Sequence, residues 1–264
     1  MKKKVSAMLL CGLCMLWMAS GTALSADASV KMRVSISDAG ILRMSAEEIT
    51  VSDVNADGKI TAYDALYAAH EKAYPAGAAA GFSAEDAGWG TSVSKLWGIE
   101  NGGSYGYYLN NEALMNLDAE VKDGDHLYAY SYADLEFWSD SFSYFDILTK
   151  TVKSGDEVTL VLMGAGYDAD WNPVTAPVAD AVILLNGEES KLKTDADGKV
   201  TIPVTGKKNM TVSAVKEGVV LVPPVCVLTM ERPSTVWVLV FFALFAATAV
   251  LVAWFIYRRR KLAK

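Results

Sequence analysis

Histidine and cysteine are nearly absent from this sequence, with two of the first and three of the second in 264 residues. His70 and His126 stand in no nucleophile or zinc motif, and no G-x-S-x-G, H-E-x-x-H or phosphate-loop pattern occurs. Carboxylate pairs such as Glu47-Glu48 and Asp123-Asp125 read as solvated or turn residues rather than as an acid/base pair. The chain is therefore read as not an enzyme. Two of the cysteines, Cys11 and Cys14, lie in an N-terminal apolar run, which leaves Cys226 alone and excludes an internal disulfide in an exported product. Cys226 sits in the apolar stretch PPVCVLTM and is expected to be a small buried side chain.

Positive charge is also scarce. The formal net charge is −7, and setting aside Lys2 to Lys4 and the five basic residues of 258–264 leaves the middle of the chain near −15. That balance argues against nucleic acid as a partner and favours cations.

Long apolar runs occur at the two ends. Residues 1–25 read as a signal peptide: three lysines, an apolar run from Val5 to about Met18, and Ala23 and Ser25 at the −3 and −1 positions of a cleavage site. Residues 236–257 carry no charge and are long enough to cross about 30 Å of hydrocarbon. With Trp237, Trp254 and Tyr257 near its ends and the basic tail 258–264 after it, this stretch reads as a single transmembrane helix with a cytoplasmic tail. The expected localisation is the cell membrane, single-pass, with the N-terminal ectodomain outside. RPSTV at 232–236 has the Pro-x-Thr spacing of a sortase signal but lacks its leucine and glycine, so attachment to a cell wall is the lesser expectation.

Between the ends two units are expected. The first, 26–145, has a hairpin (VKMRVSI and ILRMSAEEITV around Asp38-Ala39-Gly40), a helix over 62–74 ended by Pro75, and aromatic strands. The second, 146–231, is a run of short strands with Asn-Gly and Asp-Gly turns, which reads as an all-β, Ig-like sandwich serving as a stalk.

The most specific motif is DVNADGKITAYDAL at 53–66. An EF-hand-like loop needs side-chain oxygens at positions 1, 3 and 5, a glycine at 6, a backbone carbonyl at 7, a contact at 9 and a carboxylate at 12. Asp53, Asn55, Asp57, Gly58, Lys59, Thr61 and Asp64 fill those places, with Ile60 expected to turn into the core. A helix start with Thr61 as N-cap and Asp64 at N3 accounts for the last two residues only. The alternation of Asp53, Asn55 and Asp57 points to a cation, and hard oxygen ligands in a flexible loop favour Ca2+. The stretch TDADGKVTI at 194–202 shares the Asp-Gly-Lys core, but its first and twelfth positions are Lys193 and Val204, so a hairpin turn is expected there. DADWN at 168–172 also reads as a turn.

The 53–66 stretch resembles one calcium-binding repeat of the type I dockerin family. That resemblance implies Ca2+ as cofactor and, were a second repeat packed on it, docking of a cohesin-type partner. A second resemblance rests on LWGIENGGSYGYYLNNEALMNLDAEVKDGDHLYAY at 96–130, in which Tyr107, Tyr108, Asn110 and Asn111, then Val121, Asp123, Gly124 and Asp125, match an aromatic strand, a small loop and a turn. It is similar to the bacterial surface domain grouped with the transcobalamin C-terminal domain. The likeness implies a β-grasp-like fold, and a corrinoid as one ligand class.

In HLYAYSY, Tyr128, Tyr130 and Tyr132 share one face of a strand, with Tyr105 and Tyr107 expected across the sheet. This stripe could stack on a glycan or corrinoid ligand, or pack against the second unit. The fold class expected is thus α+β: a small β-grasp-like domain with one main helix, an all-β sandwich, and a C-terminal transmembrane helix. The function expected is a membrane-anchored, calcium-binding surface protein that binds a glycan, a corrinoid or a surface-protein ligand, the alternative being a dockerin-like scaffold component.

Overall fold

A computed structural model describes residues 28–231, apart from position 171, together with isolated positions between 245 and 258. The chain opens with β1 (Ser29–Asp38) and β2 (Ile41–Ser52), joined through Ala39 and Gly40, both with positive φ. Next come α1 (Ala62–Ala73), α2 (Ala78–Gly81), β3 (Ser83–Asp86), β4 (Thr91–Lys95), β5 (Tyr105–Leu109), β6 (Glu112–Ala113) and β7 (His126–Ser131). The remaining strands are β8 (Ser141–Phe145), β9 (Thr149–Val152), β10 (Glu157–Tyr167), β11 (Pro173–Pro177), β12 (Val182–Leu185), β13 (Glu188–Lys193), β14 (Lys199–Pro203), β15 (Met210–Val215), β16 (Leu221–Val222) and β17 (Cys226–Met230).

The first sheet runs β2-β1-β7-β5-β6, with β1 and β7 parallel and the other neighbours antiparallel. Its helix-side face buries Met32, Val34, Ile36, Leu127 and Ala129 against α1. Within α1, Ala62, Ala65, Leu66, Ala69 and His70 are buried, a spacing of three and four that lays one narrow stripe on the sheet. Small alanines at these positions let the helix lie close to the strands. Ile60 packs against the same core, as its place in the loop implied.

In the second half, β10 pairs with β11, β8 and β14, and β8 runs parallel to β16. The facing sheet runs β13-β12-β15-β17-β9, with β17 and β9 parallel. Between these sheets lies a core containing Leu160, Leu162, Ile183, Ile202, Val212 and Leu228. Cys226 is fully buried in it, and burial pushes its thiol up to about 12, consistent with a packing residue.

The expected architecture needs correction. The described residues form an α+β fold with several mixed sheets and no closed barrel, not a β-grasp-like unit followed by an antiparallel Ig-like sandwich. The parallel pairs β8/β16 and β9/β17 make both sheets of the second half mixed. The halves are also not separate: Ala46, Tyr128, Tyr130, Phe142, Val222 and Val225 form a third core across the seam. β8, which precedes residue 146, belongs by pairing to the second half.

The membrane assignment is corrected too. Among the described residues no helix is long and apolar enough to cross a membrane. The expected span 236–257 falls outside the described residues save for isolated positions, as do the signal peptide 1–25 and nearly all of the tail 258–264. Single-pass anchoring, the membrane as partner and the cell-membrane localisation are accordingly dropped.

Candidate functional site

Two places gather chemistry. The first is the loop between β2 and α1. Its backbone is curled by its own side chains: Asp53 Oδ1 accepts from the Asp57 N–H at 3.2 Å and Asp53 Oδ2 from the Gly58 N–H at 2.7 Å. Asn55 Oδ1 accepts from the same Asp57 N–H at 3.3 Å, and Asp57 Oδ1 from the Lys59 N–H at 2.9 Å. Ala56 (φ 59°) and Gly58 (φ 87°) take the left-handed conformation that this reversal demands. The loop then leaves along Ile60 and Thr61, which pair with 120–121.

Asp64 closes the loop from below. Its carboxylate is fully buried, with Oδ1 accepting from the Val54 N–H at 2.9 Å and Oδ2 from the Thr61 N–H at 2.8 Å and the Thr61 hydroxyl at 2.9 Å. It therefore ties the loop entrance to the helix N-terminus, where a negative charge is favoured. Both readings of Thr61 and Asp64 coexist, because an N3 carboxylate and a twelfth-position carboxylate are here one side chain.

Among the described residues no three His, Cys, Asp or Glu side chains stand together as a metal-holding group. The expectation of a ready-made EF-hand-like calcium motif is corrected to that extent. What the loop has is a donor set: Asp53, Asn55 and Asp57 exposed or half-buried on one curl, the Lys59 carbonyl, Thr61 and Asp64. All are hard oxygen donors, which suits calcium. The 194–202 stretch is the turn between β13 and β14: Asp195 Oδ1 accepts from the Asp197 and Lys199 N–H groups, and the Lys199 ammonium lies 3.2 Å from Asp197. A built-in cation already occupies the place beside its carboxylate. At 168–172, Asp168 accepts from Asp170 and Asn172 in a further turn.

The second place is a cleft of about 690 Å3 along the seam between the halves. Of the five tyrosines expected to form one stripe, it brings together only Tyr130 and Tyr132. Tyr107 pairs with Ala129 and Tyr105 with Ser131, so both point to the helix-side core. There Tyr105 Oη donates to the Ile99 carbonyl at 2.8 Å, and Tyr107 Oη accepts from the Val93 N–H. Tyr128 is buried on the seam and donates its hydroxyl to the Pro223 carbonyl at 2.6 Å. Sequence reasoning missed Tyr108, which faces Tyr128 across the strands and stacks on Phe142 with centroids 3.6 Å apart and planes 7° from parallel. The signal was Gly106 in the middle of an aromatic strand. It lies opposite Tyr130, and a methyl at that position would collide with the Tyr130 ring.

The residues of the second resemblance serve as staples. Asn110 donates to Asp125 at 2.9 Å and accepts from the His126 N–H, which ties the β5–β6 turn to the start of β7; Asp123 accepts from the Lys31 N–H. Both histidines are held neutral. His70 Nδ1 donates to the Leu66 carbonyl at 2.7 Å, so its Nε2 accepts from the Trp97 N–H at 3.0 Å, and burial lowers its pKa to about 4. Burial and the nearby Arg33 likewise lower His126 to about 4.

No protein-family model matches the chain, and no curated protein matches it.

Proposed function

We propose that the chain is a non-catalytic binding module whose first half is completed by one calcium ion at the 53–64 loop. The observation that supports this reading most is the curl described above: Asp53, Asn55 and Asp57 bring two carboxylates and an amide onto one short arc of backbone, held by backbone N–H donors and by the Asn55 amide, which donates to Asp57 at 3.0 Å, and a cation there would offset the two negative charges. Asp53, Asn55 and Asp57 would hold the ion through side-chain oxygens, Lys59 through its carbonyl, with Thr61 and Asp64 completing the set. Calcium would supply the compensating charge and a cross-link between the end of β2 and the start of α1.

The non-catalytic part of the reading is supported by His70, both of whose ring nitrogens are committed to protein partners, and by His126 Nε2, which is bonded to Ser35 Oγ at 2.9 Å. Cohesin-type docking through the loop draws no support from α1, because its apolar residues are used in its own core. The test is calorimetric titration of the chelator-treated full chain with calcium. One ion per chain is expected, with binding lost in Asp53→Ala; no heat, or equal binding by that variant, overturns the reading.

A further inference from the structure

The seam cleft combines aromatic surface with a polar rim and, among the described residues, has no positively charged side chain in its lining. We propose that it is a binding site for neutral oligosaccharides, a proposal that gives a ligand class to the binding-module reading above and rests on it. Five tyrosines, Trp138 and Phe142 line it; Tyr130 and Phe142 are buried beneath its surface, so the rings open to a ligand are Trp138 and Tyr167, with the half-buried Tyr108, Tyr132 and Tyr144. Its floor is the stacked pair Tyr108 and Phe142, and beside it Tyr130 donates its hydroxyl to Tyr132 at 3.2 Å. Its volume falls within the range of ordinary ligand pockets.

Trp138 is the exposed wall, 59% accessible, and it is held in place rather than loose. Its indole Nε1 donates to Ser104 Oγ at 3.1 Å, which fixes the ring edge. The segment carrying it, 133–140, is tied by two carboxylates. Asp134 accepts from the Glu136 and Phe137 N–H groups and from the Ser139 hydroxyl at 2.6 Å, while Asp140 accepts from the Ala133 and Asp134 N–H groups. These bonds hold the Asp134 carboxyl at about 2, below the usual carboxylate range, so the tie persists through ordinary pH. An aromatic platform fixed before binding loses little conformational freedom when a ligand stacks on it.

The rim selects the ligand class. Asn111 and Glu112 are exposed at one side, and Ser139 and Asp140 stand at the other. Each Asp140 oxygen makes one of these bonds and keeps a further lone pair for a hydroxyl donor. Among the described residues no lysine, arginine or histidine lines the cleft, so a phosphate, sulfate or uronate would meet carboxylates without a counter-charge. A wholly apolar ligand would bury the rim groups unpaired. A pyranose satisfies both demands, with C–H faces for the rings and hydroxyls for the rim.

The experiment titrates the calcium-saturated full chain with cellohexaose, xylohexaose and mannohexaose, and with hexagalacturonate as the anionic arm, by calorimetry. At least one neutral hexaose is expected to bind with a sub-millimolar Kd. Trp138→Ala and Tyr132→Ala are expected to weaken it tenfold or more, while Trp89→Ala, an exposed tryptophan outside the cleft, stays within twofold. Thermal melting of each variant verifies its folding. The proposal is overturned if no neutral hexaose binds at millimolar concentration to chain that melts cooperatively, if hexagalacturonate binds more tightly, or if folded Trp138→Ala and Tyr132→Ala bind unchanged. Chromatography of the recovered saccharide separates this from the parent reading: intact hexaose supports both, whereas cleaved hexaose overturns the non-catalytic reading.

Discussion

The loops at 53–64 and 194–202 share Asp-x-Asp/Asn and Asp-Gly-Lys spacing, yet their glycines and carboxylates answer to different constraints. Gly198 has φ 72° and sits where an added Cβ would lie 2.5 Å from the Leu162 carbonyl oxygen, because its own carbonyl accepts from the Leu162 N–H of the neighbouring strand. Gly58 has φ 87° with nothing within 4 Å of the same position. The first glycine is demanded by a close approach of two strands, the second by the backbone turn alone. In the same way Asp197 is paired with Lys199 at the surface, whereas Asp64 is sealed beneath its loop by three donors. A shared motif thus serves strand pairing in one half and a polar, open arc in the other.

The largest expected effect separates the glycines. Gly198→Ala combines a left-handed residue with backbone overlap and should cost about 3 kcal/mol in chemical denaturation, against about 1 kcal/mol for Gly58→Ala. Equal losses would break the contrast. Next, Asp64→Asn replaces acceptor capacity with donors inside a buried site and should cost about 2.5 kcal/mol, measured without calcium, while the exposed Asp197→Asn stays within about 0.5 kcal/mol.

Acid should then act on the first half, where both histidines lie. His70 has a folded pKa of about 4, below its unfolded value, so the unfolded chain binds more protons between them. Stability from its neutral form is present above about pH 6.5 and is lost as pH falls toward 4, amounting to about 2 kcal/mol between pH 7 and pH 5. The main cause is burial, which disfavours the charged ring, and an imidazolium Nε2 also carries a hydrogen and cannot accept from Trp97. A denaturation series across pH checks this, and His70→Gln should flatten part of the slope.

How much of this could be read in advance depended on how local each determinant is. The β1–β2 hairpin, α1, the 53–64 turn, the β13–β14 turn and the inward Ile60 all follow from residues close to one another in the sequence, the hairpin being the longest, with Ser29 pairing Ser52. The side assignment of the tyrosines did not, because the face of β5 depends on register. Gly106 opposite Tyr130 puts Tyr108 on the seam face and Tyr105 and Tyr107 on the helix side. The parallel pairs β8/β16 and β9/β17 join segments about eighty residues apart and leave no periodic trace, so the local pattern points to an all-β, Ig-like sandwich instead. The setting of Trp138 is non-local in the same way: it comes from Asp134, Asp140 and the distant Ser104 rather than from a motif.

The central claim is that the 53–64 arc, and not its counterpart, gains stability from calcium. The most direct measurement is the melting temperature of the full chain with chelator and with saturating calcium, for the parent sequence, Asp53→Ala and Asp195→Ala. At a hundredfold excess over Kd, binding to the folded state adds about 2.7 kcal/mol, so the parent and Asp195→Ala should melt several degrees higher with calcium, and Asp53→Ala should not respond. A parent chain that melts at the same temperature with and without calcium, or an Asp53→Ala chain that still gains from it, would contradict the account.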